Sequence, residues 1–349
     1  MNAERHQVVH QIVAFGDAVE DGAHERGFFA GANAAEAEVG CWLRPGCLLF
    51  WSIRFHRAKI AHRPPVALYV PAMPELPEVE TVRRALAARL VGRRLTRVEA
   101  RRADLRTKLP RNLRARLLGR TVTGVGRRAK YLLVELDDGA TIIAHLGMSG
   151  RMLLHRNPTP PGPHDHVILG ADDGTLVYFN DARRFGLLTL ADSATLQRHP
   201  LLKDLGMEPL GRDFNPRTLA AALKGRKTSI KTALLDQTVV AGLGNIYASE
   251  ALFQAGISPR RRAGSLGGPR CERLTAAIKD VLERAIAAGG STLRDHRQPD
   301  GELGYFQHDF AVYGRVGLRC PGCDCGARSG IRRIVQSGRA TFFCPHRQR

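Results

Sequence analysis

Acidic residues are scarce in this sequence. Its 349 residues include 33 Asp and Glu against 53 Lys and Arg, which gives a net charge of +20. Residues 1–73 contain seven of each sign, so the whole basic excess lies in residues 74–349. No basic run there is long enough to form a solvated tail, and the charge must therefore be spread over a folded surface. Such a surface favours a polyanion, DNA or RNA, as the partner.

Long hydrophobic runs are missing as well. The longest apolar run near the start, Leu48–Ile53, is far too short to span a membrane and short for the core of a signal peptide. An anionic membrane surface is disfavoured as the partner, because the basic residues are not gathered on one amphipathic helix. We therefore expect a soluble cytoplasmic protein. A protein that is basic without any specific partner is the remaining alternative.

Cysteine is uncommon and unevenly placed. Four of the seven Cys residues fall between 320 and 344, which favours a local metal cluster over a disulfide framework. Cys320 and Cys323 in the stretch CPGC, with Cys344 and His346, offer three thiolates and one imidazole, a ligand set typical of tetrahedral zinc. A redox Cys-x-x-Cys pair would instead need a thioredoxin-like βαβ context, which the neighbouring sequence does not have.

Residues 1–72 show no sustained helical or strand periodicity and contain no motif. The next stretch, MPELPEVET at 73–81, nevertheless reads like the start of a protein. Pro77 stands at a first helical position, acidic residues lie near the positive end of the helix dipole, and apolar residues recur at helical spacing, at Val79, Val82, Leu86 and Leu90. This pattern predicts an amphipathic helix of about four turns.

The rest of the chain changes character near residue 190. Residues 131–146 and 166–179 each read as two strands joined by a DDG turn, and their apolar residues on both faces predict a β-sandwich. Helical patterns follow, the longest at 271–290, and then a Gly-rich loop segment at 289–306. The last thirty residues are rich in Cys and Arg and are too short to hold a core without help, which a metal could supply.

Three short stretches carry candidate chemistry. In VVAGLGN, 239–245, glycines permit tight turns before Asn245 starts a helix, so that backbone amides and the Asn245 side chain could bind a phosphate. Nearby positive charge favours DNA, at Arg226, Lys227 and Lys231, although a purely structural helix-turn-helix is the alternative. HLGMSG at 145–150 and NDARRFG at 180–186 place apolar and Arg side chains on loops, as a protein needs to fill the hole left by an extruded base. Ordinary core packing is the alternative for both.

Taken together, these stretches resemble one family, the formamidopyrimidine-DNA glycosylases. The resemblance runs from Met73 to the C-terminus, and the motifs fall in family order: MPELPEVET, RRAKYLL, HLGMSG, HDHV, NDARRFG, AGLGNIYASE, GGSTLRD, GYFQHDFAVYGR and GRATFFC. PELPEVET with RRFG favours this branch over the related endonuclease VIII branch, whose members act on oxidised pyrimidines.

The resemblance implies an α+β fold. We expect an N-terminal β-sandwich domain with a leading helix at 74–190, and a helical helix-two-turns-helix domain with a lesion loop at 191–310. A β-hairpin zinc finger is expected at 311–349. Residues 1–73 would be an extension that is not part of the mature protein.

The resemblance also implies the chemistry. The family uses its N-terminal proline, here Pro74, as a nucleophile that attacks C1′ of a damaged deoxynucleoside and forms an iminium. Glu75 would be the proton donor beside it, Lys130 the donor for β-elimination and Arg339 the donor for δ-elimination. Glu78 matches a further acidic residue of the active site, although helix capping explains it equally well.

Double-stranded DNA with oxidised bases or abasic sites is the implied partner. His164, Arg183, Arg226 and Asn245 match DNA-contacting positions. Met148, Arg183 and Phe185 match the residues that fill the void in the duplex, with Arg183 reading the orphaned cytosine. Residues 291–306 match the loop that covers the flipped base. One chain can supply all these parts, so we expect a monomer, without membrane association, at the bacterial nucleoid.

The sequence departs from the family pattern at the finger. The family finger ends in Cys-x-x-Cys, whereas position 347 is Arg, and an extra Cys325 follows Cys323. The fourth zinc ligand is therefore open between His346 and Cys325. We favour His346, because Cys325 lies close to Cys323 in sequence. Pro163 also stands where relatives often have Lys, which removes one possible phosphate contact.

Two functions from different classes follow. The first is a glycosylase and AP lyase that removes oxidised purines, and the second is a damage-specific DNA-binding protein without catalysis. An amide nitrogen inside a chain is not nucleophilic, so residues 1–73 would abolish the first activity. Arg outnumbers Lys by 45 to 8, as in a GC-rich gene, where spurious upstream reading frames run long. We therefore expect that translation starts at Met73 or that the extension is removed.

Overall fold

The computed structural model describes residues 73–156, 160–291, 306–325 and 330–349, all within one unit of the chain, residues 67–349. The expectations about the N-terminal extension, and about the lesion loop after residue 291, lie outside the described residues.

The leading helix, α1, spans Leu76–Leu90. Its 15 residues make about four turns, so the predicted helix is confirmed. Glu78 caps the first turn, because its carboxylate accepts a hydrogen bond from the backbone N–H of Glu75 at 2.9 Å. The predicted apolar face is buried, at Val79, Val82, Leu86 and Leu90.

Two four-stranded antiparallel sheets follow α1. In chain order the strands are β1 (Leu95–Ala100), β2 (Val122–Arg128), β3 (Tyr131–Leu136), β4 (Ala140–His145), β5 (Arg151–His155), β6 (Asp165–Ala171), β7 (Leu176–Asn180) and β8 (Leu187–Asp192), with a short helix α2 (Leu113–Leu117) after β1. The sheet orders are β1-β6-β7-β5 and β2-β3-β4-β8. The predicted hairpins are confirmed as β3–β4 and β6–β7. Apolar residues of both sheets form one core with the apolar face of α1, which makes the predicted sandwich.

Four helices form the next part of the chain: α3 (Pro216–Leu223), α4 (Ile230–Leu235), α5 (Asn245–Gln254) and α6 (Pro269–Ala287). Their apolar residues share a second core, and Leu76 at the start of α1 belongs to that core. The first turn of α1 therefore lies where the two cores meet. In the described ranges, no helix combines the length and the apolarity needed to cross a bilayer.

A β-hairpin ends the chain, with strands β9 (Arg332–Gln336) and β10 (Arg339–Phe343). It does not stand alone, because Ala340 and Phe342 belong to the helical core. The segment before it is held by Glu250 of α5, which accepts hydrogen bonds from the backbone N–H groups of Ala311, Val312 and Tyr313 at 2.8, 3.0 and 2.7 Å. Helix packing thus gives the last residues part of the support that we expected from a metal. The α+β fold class is confirmed.

Candidate active site

The residues before α1 are buried beside the start of α5. Pro74 is buried, and Glu75 is 4% exposed. The Glu75 carboxylate accepts hydrogen bonds from the backbone N–H groups of Ile246 at 3.0 Å and Tyr247 at 3.5 Å. A Cβ at Gly244 would overlap this carboxyl group, so the glycine makes room for it. Two amides at the α5 N-terminus, where we expected a phosphate to bind, are therefore occupied by a carboxylate of the protein itself.

This environment changes the acidity of Glu75. Burial raises the pKa of its carboxyl to about 7, although the positive charge of Lys130 acts in the opposite direction. The negative charge of Glu78 adds to the rise. A carboxyl with a pKa near 7 is protonated in a large fraction of molecules at neutral pH and can donate that proton. This property fits the proton-donor role that the resemblance implies.

Glu78 does more than cap α1. Its Oε1 accepts hydrogen bonds from the Tyr247 hydroxyl at 2.5 Å and from the backbone N–H and hydroxyl of Ser291 at 2.8 and 2.9 Å. Burial, followed by the Glu78 charge, raises the pKa of Tyr247 well above its usual value, so the phenol remains a donor. Sequence reasoning assigned no role to Tyr247 and Ser291, although both lie in family motifs, AGLGNIYASE and GGSTLRD. The hydrogen bonds among Glu78, Tyr247 and Ser291 connect the first turn of α1 to α5 and to residue 291, which directly precedes the predicted lesion loop.

Lys130 lies close enough to Glu75 and Glu78 for their charges to affect its pKa. It is 7% exposed, and burial lowers the pKa of its ammonium group. The charges of Glu75 and Glu78 raise this pKa, and the charge of Arg339 lowers it further. The fold therefore brings together three of the four predicted catalytic side chains, and the fourth, Pro74, directly precedes Glu75.

Glu208 supports the turn that presents Lys130. Ala129, directly before Lys130, has a φ of +53°, which is unusual for a residue with a Cβ. The Glu208 carboxylate accepts hydrogen bonds from the Ala129 backbone N–H at 2.5 Å and from Arg127 and Arg128 at 3.0 Å each. No motif in the sequence identifies Glu208, which lies about eighty residues from the turn that it holds.

The start of β10 carries Arg339 toward this cluster and is fixed from two sides. Lys231 is fully buried, and its ammonium donates to the Ala340 carbonyl at 2.9 Å and the Thr341 hydroxyl at 2.8 Å. Burial lowers the pKa of Lys231 to about 7. Asn245 also donates to the Ala340 carbonyl, at 3.0 Å. The expectation that Lys231 adds to DNA-facing charge is therefore wrong, because the lysine is enclosed by the protein.

The loops after β4 and β7 present the predicted void-filling residues. Phe185 is 40% exposed, and the Arg183 guanidinium lies 4.8 Å from the centre of its ring. Met148 is half-buried and lies outside the main cores, and Arg183 is exposed. The core alternative is thus wrong for Phe185.

The other predicted DNA contacts lie elsewhere on the surface. His164 is exposed in the loop before β6. Arg226, between α3 and α4, is partly exposed, and its guanidinium donates to the Asp236 carboxylate at 2.9 Å and to the Ala222 carbonyl at 3.0 Å. A DNA phosphate at Arg226 would have to compete with Asp236.

Four cysteine sulfurs converge beside the hairpin. The Sγ atoms of Cys320, Cys323, Cys325 and Cys344 all lie within 4.8 Å of one another. His346 is not part of this cluster, so the arrangement of the sulfurs favours Cys325 over His346 as the fourth ligand. The chain turns tightly after Cys320, whose backbone N–H lies 3.3 Å from the Cys325 sulfur. This turn, which sequence spacing did not predict, brings Cys325 to the other sulfurs.

Comparison with known proteins identifies the same family as the sequence motifs do. The chain matches sequence models of the formamidopyrimidine-DNA glycosylase N-terminal domain over residues 73–188 and of the formamidopyrimidine-DNA glycosylase H2TH domain over residues 205–297. Among similar proteins, the formamidopyrimidine-DNA glycosylase of Rhodospirillum rubrum is 60% identical over 281 residues, which is 79% of this chain and 100% of the relative. That of Rhodospirillum centenum is 57% identical over 290 residues, with the same coverage of 79% and 100%.

Solved structures of MutM (Fpg) proteins are also similar to this chain. The MutM (Fpg) protein of Thermus thermophilus is 44% identical with a TM-score of 0.69, covering 79% of this chain and 98% of that chain. Lactococcus lactis Fpg in complex with DNA containing an abasic site is 36% identical with a TM-score of 0.71, covering 79% and 100%. The same enzyme with DNA containing N7-benzyl-Fapy-dG is 36% identical with a TM-score of 0.72, covering 79% and 99%.

Proposed function

The chain belongs to the formamidopyrimidine-DNA glycosylase family, and from this premise we propose which of its residues carry out the reaction. The protein is a base-excision repair DNA glycosylase and AP lyase that removes oxidised purines, such as 8-oxoguanine and formamidopyrimidines, from DNA. The observation that carries the assignment of residues is the buried cluster in which Lys130 interacts electrostatically with both Glu75 and Arg339. Pro74 lies directly beside this cluster.

The first step is attack by Pro74. As a free secondary amine, its nitrogen forms a bond to C1′ of the damaged nucleoside, and the bond between C1′ and the base breaks. Glu75 supplies a proton beside the nucleophile, which its raised pKa of about 7 supports. The departing base takes up the proton that the Pro74 nitrogen releases, the bond between C1′ and O4′ of the sugar then breaks as O4′ takes the proton from Glu75, and the product is an iminium between the Pro74 nitrogen and C1′.

Strand cleavage follows from the iminium. It makes the 2′ hydrogen acidic, so that β-elimination breaks the bond between C3′ and its oxygen, and δ-elimination then breaks the bond at C5′. We assign proton donation in these steps to Lys130 and Arg339. The lowered pKa of the buried Lys130 supports this role, because its ammonium releases a proton more readily than an exposed lysine would.

This mechanism needs a free N-terminus at Pro74. We propose that the active form lacks residues 1–73, because translation starts at Met73 and the Met is removed or because the extension is cleaved. The start of the family match at residue 73 supports this, as does the full coverage of the Rhodospirillum rubrum relative by 79% of the chain. Intact-protein mass spectrometry of the natively expressed protein tests it. A mature chain that begins at Met1 and still cleaves oxidised duplexes would contradict it.

Borohydride trapping tests the chemistry. A protein that starts at Met73, incubated with an oxidised duplex and borohydride, should form a covalent adduct, and Pro74→Gly should form much less. The matched control is Pro77→Gly, which changes a proline three positions further on and leaves the proposed nucleophile in place. A preparation that binds damaged DNA but gives no adduct would instead support the binding protein without catalysis.

DNA recognition is assigned to the exposed loops and the helical half. We propose that Met148, Arg183 and Phe185 fill the void in the duplex and that His164, Arg226 and Asn245 contact the backbone. The exposure of Phe185 and Arg183 supports the first assignment. We further propose that the protein acts as a monomer on double-stranded DNA at the bacterial nucleoid in the cytoplasm. The division of the mature chain near residues 190 and 310 stays a prediction.

The cysteine cluster suits one structural zinc ion. The sulfur separations of 3.3 Å between Cys320 and Cys323 and 3.6 Å between Cys323 and Cys344 approach the roughly 3.8 Å edge of a tetrahedron with Zn–S bonds of about 2.3 Å. We propose that Cys320, Cys323, Cys325 and Cys344 hold this ion. Zinc there would link the turn at 320–325 to the end of β10, which carries Arg339 at its start.

Metal analysis of two variants tests the ligand set. Cys325→Ser should lower bound zinc well below one equivalent and leave the remaining thiols open to alkylation, whereas His346→Ala should keep one equivalent. Cys271→Ser, at a buried cysteine outside the cluster, is the control. Loss of zinc from His346→Ala with zinc retained by Cys325→Ser would restore His346 as the ligand.

A further inference from the structure

A buried carboxylate joins the two loops that carry the proposed void-filling residues. Asp181 has no exposed surface. Its Oδ1 accepts a hydrogen bond from the Ser149 hydroxyl at 2.5 Å, and its Oδ2 accepts one from the backbone N–H of Gly186 at 2.7 Å. Within the described residues Asp181 forms no salt bridge. Its charge is therefore stabilised by loop hydrogen bonds rather than by a cation.

Ser149 completes the connection in the opposite direction. While its hydroxyl donates to Asp181, the same oxygen accepts a hydrogen bond from the backbone N–H of Arg183 at 3.1 Å. Ser149 follows Met148 directly, and Arg183 lies two residues before Phe185. One hydroxyl thus links the loop of Met148 to the loop of Arg183 and Phe185 through two hydrogen bonds.

The backbone of Asp181 extends the connection to a third segment. Its N–H donates to the carbonyl of His164 at 2.9 Å, and its carbonyl oxygen lies 2.8 Å from Nε2 of His166. The loop that presents His164, a proposed DNA contact, is therefore attached to the same residue. Three DNA-facing segments meet at Asp181.

The two loops also touch directly. Gly147 has a φ of +63°, and a Cβ there would overlap the carbonyl group of Phe185. The loops consequently pack backbone against backbone, with little space in which either could move alone. The hydrogen bonds of the buried Asp181 and Ser149 join the same two loops.

We propose that Asp181, acting through Ser149, is a positioning residue that holds the Met148 loop and the Arg183–Phe185 loop together as one rigid wedge. The inference rests on the proposed void-filling role of these loops. Pushing side chains into a duplex meets resistance from base stacking, so a wedge of two independent loops would yield before the base leaves the stack. Two loops that are held together insert as one rigid body, so that the free energy of DNA binding is used to unstack the damaged base. The connection acts on base extrusion and not on the chemistry at Pro74.

Two substrates separate extrusion from chemistry. The first is a duplex with 8-oxoguanine opposite cytosine, where a paired and stacked base must be extruded, and the second is a duplex with a preformed abasic site, which has no base to extrude. In the protein that starts at Met73, Ser149→Ala should slow single-turnover base excision by about ten- to hundredfold, as expected for the loss of a hydrogen bond to a charged group. Borohydride trapping on the abasic duplex should stay within about twofold of wild type.

A fluorescent base gives a direct readout. With 2-aminopurine next to the lesion, the rise in fluorescence that reports unstacking should slow in Ser149→Ala by the same factor as excision. Asp181→Asn, which keeps the shape of the side chain but loses one acceptor, should change the same two readouts in the same direction. If Asp181→Asn does not fold, Ser149→Ala alone decides the outcome.

Thr141→Val is the matched control, because it removes another buried hydroxyl of the same sandwich, one that lies 2.6 Å from the Ser193 hydroxyl. Its excision and trapping rates should equal those of wild type. The proposal is overturned if Ser149→Ala leaves excision unchanged, if it slows both substrates equally, or if Thr141→Val shows the same selective loss. A wild-type protein that traps neither substrate would instead refute the proposed function.

Discussion

The cluster of charged residues at the start of α1 is buried, whereas the loops of the wedge, which carry Met148, Arg183 and Phe185, lie at the surface. Glu75 and Lys130 are 4% and 7% exposed, and burial moves both pKa values toward neutrality. Phe185 is 40% exposed, and the Arg183 guanidinium lies against its ring at the surface. In the proposed mechanism, burial adjusts the acidity of the groups that exchange protons, whereas exposure leaves the void-filling groups available to the duplex. Changes in the first region should alter chemistry and pH dependence, and changes in the second should alter base extrusion with little effect on folding.

The largest effect should come from Glu75→Gln. The variant keeps the size of the side chain but loses the titrating proton, so base excision from an oxidised duplex should fall by about hundredfold or more. Single-turnover kinetics measure the loss, and DNA binding should persist. Glu99→Gln, at a partly exposed residue paired with Arg97, is the control. A fall of less than about tenfold would remove Glu75 from the proposed mechanism.

Burial of Glu75 should also make folding depend on pH. Its folded pKa of about 7 lies above the ordinary value of 4.5, so the unfolded chain releases this proton first as the pH rises. The free energy of unfolding should therefore fall between about pH 4.5 and 7, by about 3 kcal/mol from this group. Glu75→Gln should remove that part of the fall. Urea unfolding of both proteins at pH 5 and pH 8 measures the difference, and parallel curves would contradict the prediction.

Weakening the hydrogen bonds of Glu208 to the turn before Lys130 should reduce activity less than Glu75→Gln does. Glu208→Gln weakens the acceptor for the Ala129 backbone N–H and for two arginines, and the turn before Lys130 should lose its fixed geometry. Strand cleavage at an abasic site should slow by roughly tenfold. Glu135→Gln, at an exposed position of β3, is the matched control. Equal cleavage rates in the two variants would show that Lys130 does not depend on Glu208.

The smallest effect on folding should come from the wedge. Phe185→Ala should change the free energy of unfolding by less than about 0.5 kcal/mol, because the residue is 40% exposed and belongs to neither main core. Leu188→Ala, at a buried residue three positions further along the chain, should cost about 2–5 kcal/mol. Chemical denaturation compares them directly. Phe185→Ala should nevertheless slow removal of 8-oxoguanine, and a large loss of stability in this variant would place Phe185 in the core after all.

Local patterns predicted much of this architecture. The apolar spacing from Val79 to Leu90 predicted α1, and the two DDG turns predicted the hairpins β3–β4 and β6–β7. These predictions succeeded because helices and hairpins depend on residues close in sequence. The same reasoning chose His346 over Cys325 and treated Lys231 as a surface charge. The cysteine cluster favours Cys325 over His346, and the choice for Lys231 was wrong, because the path of the backbone between distant residues, not their spacing, sets which groups meet.

The family motifs and periodicities in the chain were enough to predict its fold class and its family, and they supplied the proposal for the groups that react. They could not show that α5 offers its N-terminal amides to Glu75, that Glu208 holds the turn before Lys130, or that Asp181 joins three loops. The hydrogen bonds from Ile246 to Glu75, from Ala129 to Glu208 and from Ser149 to Asp181 join residues that are between about 30 and 170 positions apart. Acidity and position depend on the local dielectric and on hydrogen bonds across such distances, and these arise only when the two cores pack.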